Sequence, residues 1–262
     1  MKKECESHVF LSKNEIREKN DKTLVEIQMN QELKEIPKHF VSFSSSNLVL
    51  REKNERKQVI DELFMFTFKG QNLVSFFSQS IWQKYNFKFY VLWYRHMLYG
   101  LQLLQQKNIC YFHWNKDSIV FDMEAEQPLL QNFGDSFYMN KTTFNFNLTS
   151  WVPEWKILVY LNKNNLQTLS FSNVCELGQE YETKKYISSL LNQNREKVTE
   201  IIGAWVPTWD LYCLNLIFVK LKKLPDFLSI LLEKYLQKEP QERESVDSFI
   251  LLFESKIREK IH

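Results

Sequence analysis

Between Asn108 and Phe137 the chain gathers the side chains best suited to proton or metal chemistry. His113 carries an imidazole, which titrates near neutrality, and is the candidate general base. Ser118 follows in the same loop, but a separation of five residues fixes no hydrogen bond to His113, and no third group orients the pair as nucleophile and base. Asp117, Asp122 and Asp135 lie within the stretch, and a divalent ion would need such carboxylates turned inward together. We expect none of them to do this. Glycine is too sparse for a phosphate cradle, which needs several backbone N–H groups close together. The five glycines stand at 70, 100, 134, 178 and 203, no two nearer than 25 residues. Four cysteines, Cys5, Cys110, Cys175 and Cys213, form no CxxC pair, so neither a zinc site nor a disulfide framework is indicated. We expect no metal and no cofactor.

The elements that must position these residues can be read from periodicity. Ile119-Val120-Phe121 and Pro128-Leu129-Leu130 are short apolar runs separated by the turn-prone MEAEQ, the pattern of a hairpin. Before them, residues 87–106 place Phe87, Val91, Tyr94, Leu98, Leu101 and Leu104 along one face of a helix. Residues 22–36 carry Leu24, Ile27, Leu33 and Ile36 at helical spacing until Pro37 stops the run. Residues 39–43, 47–50 and 62–68 read as strands, with the charged REKNERKQ looping into solvent. Downstream, residues 181–202 read as one helix, TWDLYCL opens an apolar helix that runs to Val219, and two more helices meet around Glu239–Arg243.

Five motifs follow one another along the chain: NKDSIVFD, PLLQNFG, WVPEW, TWDLYCL and EPQER. In order and spacing they resemble the catalytic half of a protein kinase, where H-R-D-x-K-x-x-N leads into a strand, D-F-G closes the site and A-P-E ends the activation segment. The TWDxYxL opening, the long insert before it and the richness in Asn, Lys and Phe look most like the serine/threonine kinases of large nucleocytoplasmic DNA viruses. The resemblance implies an α+β, protein kinase-like fold. A small, reduced, β-rich N-lobe would occupy residues 1–69, and a larger, mainly helical C-lobe residues 70–262, with an insert at about 156–204. It implies that Tyr111 and Phe133, the latter beside Gly134, stack an apolar spine between the lobes. It also implies that Asp210 accepts hydrogen bonds from the loop backbone, and that Arg243 pairs with Glu154 of the closing motif. Lys13 and Glu26 would be the vestige of the ion pair that holds nucleotide phosphates.

The same likeness makes the catalytic positions degenerate. Tyr111-Phe112-His113 stands where His-Arg-Asp belongs, Asn115 where the Lys belongs, Ser118 where the metal-binding Asn belongs, and Asn132 where the metal-binding Asp belongs. Phosphoryl transfer rests on a carboxylate that orients the hydroxyl and on ligands that hold Mg²⁺. Phe112 also replaces the Arg that in many kinases grips a phosphorylated activation segment. The expectation is a pseudokinase that acts as a protein-binding scaffold or structural component, of a viral particle or replication factory. The alternative is a weak or residual nucleotide-binding serine/threonine kinase.

Composition agrees with a globular chain and narrows the partners. The 262 residues are 44% hydrophobic and 25% charged with a formal net charge of +2, too little to argue for nucleic acid. The densest basic spot, Lys220-Leu221-Lys222-Lys223, reads as a solvated helix end. No apolar run approaches the roughly eighteen residues that suggest a membrane span. The polar opening MKKECESH has no signal-peptide core. Protein partners and an intracellular location are therefore expected.

Overall fold

The computed structural model describes residues 87–261 apart from 113, 116–117, 123–124, 141–143, 145, 147, 149, 179–180, 182–183 and 222–223. Before residue 87 it describes Val25, Gln28, Met29, Glu32, Leu33, His39 and Phe40, and the strand backbones at 47–53, 59–65 and 71–72. The protein is α+β and mostly helical, with three small sheets among the described residues.

Strands β1 (Asn47–Lys53) and β2 (Val59–Met65) form an antiparallel pair. The charged segment that the sequence assigns to a solvent loop begins as strand at residues 51–53, and its residues 54–58 lie outside the described residues. Arg51 lies opposite Glu62 and Glu52 opposite Asp61. Strand β3 (Gln71–Asn72) precedes helix α1 (Phe87–Gln106), and β4 (Ile109–Cys110) follows it directly. Strands β5 (Ile119–Asp122) and β6 (Gln127–Leu130) form the expected hairpin, with Ile119 opposite Leu130 and Asp122 opposite Gln127. They join β3 in the order β3-β5-β6, and Phe40 adds a single parallel bridge to Leu130. Strand β7 (Phe137–Tyr138) returns to pair with β4.

The rest is helical: α2 (Pro153–Lys163), α3 (Phe171–Leu177), α4 (Lys185–Leu190), α5 (Arg195–Gly203), α6 (Trp209–Val219), α7 (Asp226–Leu236) and α8 (Val246–Ile261). The single helix expected over 181–202 is therefore two, α4 and α5. Asn192 sits at φ 60°, a conformation that ends a helix, and Asn194 caps the next by accepting from Lys197 N–H at 2.8 Å.

One aromatic-rich core holds these elements. Helix α1 buries Tyr90, Trp93, Tyr94, Met97, Leu98, Leu101 and Leu104, a wider arc than the single stripe expected. Tyr94 meets Phe218 of α6 and Phe253 of α8 edge-on, at 5.0 and 5.3 Å between ring centroids. Helix α6 is buried on most sides, so its apolar residues need no stripe. Among the described residues no single helix is long and apolar enough to cross a membrane. The bent pair 195–203 and 206–219 passes by length and composition, but Leu211, Leu214 and Phe218 of that pair are core residues.

Candidate functional site

Helix α6 presents Asp210 in its first turn, 6% exposed, beneath the chain that leaves β4. The carboxylate accepts three hydrogen bonds: from the Tyr111 N–H at 2.7 Å, the Phe112 N–H at 2.9 Å and the Trp114 indole N–H at 2.8 Å. Burial raises the Asp210 carboxyl above the ordinary carboxylate range, and the Trp114, Phe112 and Tyr111 donors pull it back in part. A carboxylate held this way fixes the loop; its lone pairs face donors of the protein itself.

The loop bends where Asp210 holds it. Phe112 has φ 66°, unusual for a bulky residue. Its ring fills an aromatic cage, with centroids 4.8 Å from Trp155, 5.4 Å from Phe137 and 5.7 Å from Trp209. Tyr111 packs edge-on against Phe133 at 5.2 Å, and Phe133 against Phe40 at 5.7 Å. The Tyr111 hydroxyl donates to the Gln131 carbonyl, and Ser136 Oγ donates to the Tyr111 carbonyl at 3.2 Å. A stacked column thus runs from Phe40 through Phe133 and Tyr111 to the backbone anchored at Asp210.

Ser118 is fully buried, and its oxygens serve the backbone. Oγ accepts from the Asn115 N–H at 2.7 Å, and the carbonyl accepts from the Gln131 N–H at 3.1 Å. Asn115 and Ser118 therefore close one turn. Asn132 takes φ 64°, a region Asn tolerates well, immediately before the 3-10 turn Phe133–Asp135 that contains Gly134. Asp122 Oδ1 accepts from the Ala125 N–H at 3.2 Å and so tightens the β5–β6 turn. Among the described residues no group of three His, Cys, Asp or Glu could hold a metal ion. His113, Asp117, Lys13 and Glu26 lie outside the described residues.

A second polar centre braces α2 against the turn before α8. Arg243 Nη2 lies 2.7 Å from Glu154 Oε1 and Nη1 lies 3.4 Å from Oε2, with side-chain exposures of 3% and 0%. The guanidinium also stacks 4.3 Å from the centroid of Tyr212. Pro153 starts α2 and sets Glu154 in its first turn. Nearby, Glu239 receives the N–H groups of Tyr186 at 3.3 Å and Lys185 at 3.4 Å, at the start of α4.

Several contributors carry no local sequence signal. The Trp114 indole completes the acceptor set of Asp210 from 96 residues away. Glu32 accepts from the Tyr138 hydroxyl of β7, which also receives Gln28 Nε2 at 3.0 Å. His39 stacks on His96 of α1 at 4.1 Å, seated beside Gly100, where a Cβ would stand 3.4 Å from the His39 Cβ.

No protein-family model matches the chain, and no curated protein matches it.

Proposed function

We propose that the chain is a kinase-like protein without phosphoryl transfer, a pseudokinase that works as a protein-binding scaffold. On this reading residues 1–69 are a reduced N-lobe and residues 70–262 a C-lobe. The observation that carries it is the fate of the polar oxygens in the loop and beneath it. Asp210 and Ser118 both spend their acceptors on backbone or indole N–H groups. The column through Tyr111 and Phe133 and the Glu154–Arg243 pair supply rigidity without needing a nucleotide. Rigidity with inward-directed polar groups suits a surface that presents itself to proteins. An intracellular role in a viral particle or replication factory belongs to the same proposal, through the motif likeness to viral kinases.

Thermal denaturation with ATP, with and without Mg²⁺ or Mn²⁺, tests it. A ligand at a hundred times its Kd stabilises by about 2.7 kcal/mol. For a protein of this size that is a rise of about 5–10 °C in Tm. We expect no metal-dependent rise; one of that size would restore the nucleotide-dependent enzyme.

A further inference from the structure

We draw no further inference here: the strongest candidate, the shallow groove that Phe146, Leu148 and Val159 line beside helix α2, has polar side chains already engaged within the protein, and nothing in the structure shows what covers it.

Discussion

Replacing Arg243 by Ala tests the brace on which the helical part depends. The substitution removes the guanidinium from a Glu154 carboxylate that is 0% exposed, and leaves a buried charge without its partner. Breaking a buried pair from one side costs about 3–5 kcal/mol, because the remaining ion keeps its desolvation penalty and loses its attraction. Loss of the stack on Tyr212 adds about 1 kcal/mol. Against a total stability of about 5–15 kcal/mol this is a large fraction. At about 2–4 °C per kcal/mol, the melting temperature should fall by about 8–24 °C. Thermal denaturation followed by tryptophan fluorescence and circular dichroism measures it. Arg243→Lys keeps the charge but loses the two-point geometry and the stack, and should fall between parent and Ala. Removing both charges together, with Glu154→Leu and Arg243→Met, should recover most of the loss, since neither ion is then stranded. If Arg243→Ala melts within about 2 °C of the parent, or the double variant is no better than the single, the pair is not a desolvated brace and the placement of both motifs falls.

Two further outcomes follow from the loop. The Asp210 carboxyl is raised by burial, so the folded state holds its proton to higher pH than the unfolded state does. The stability it contributes is present below the ordinary carboxylate range and is lost as pH rises through the raised value. The parent should therefore lose stability relative to Asp210→Asn as pH increases from acid toward neutral, in paired urea titrations; a difference that is flat or widens in favour of Asp counts against the assigned direction. At Asn132, with φ 64°, Gly should be nearly neutral while the β-branched Val should cost about 1–2 kcal/mol in the same denaturation assay. Equal stability of the two variants would show that the turn does not need the left-handed conformation.

The parts of this fold legible in the sequence are those with a local period. The β5–β6 hairpin showed as two apolar runs between turn residues, and α1 and α6 as unbroken apolar patterns whose ends coincide with the helices. The break between α4 and α5 was missed because Leu190 and Leu191 continue a helical pattern into Asn192, and only the backbone at φ 60° ends it. The extension of β1 through residues 51–53 follows from backbone pairing with β2, which periodicity within one strand does not record. The pairing of Glu154 with Arg243, 89 residues away, was reached through the order of motifs and not through any local pattern. Trp114 marks the physical limit of such reading. Its indole reads as apolar bulk, yet its one N–H is what fills the third acceptor position on Asp210. Two backbone N–H groups and this indole converge on one buried carboxylate, and a carboxylate so held supports the loop above it.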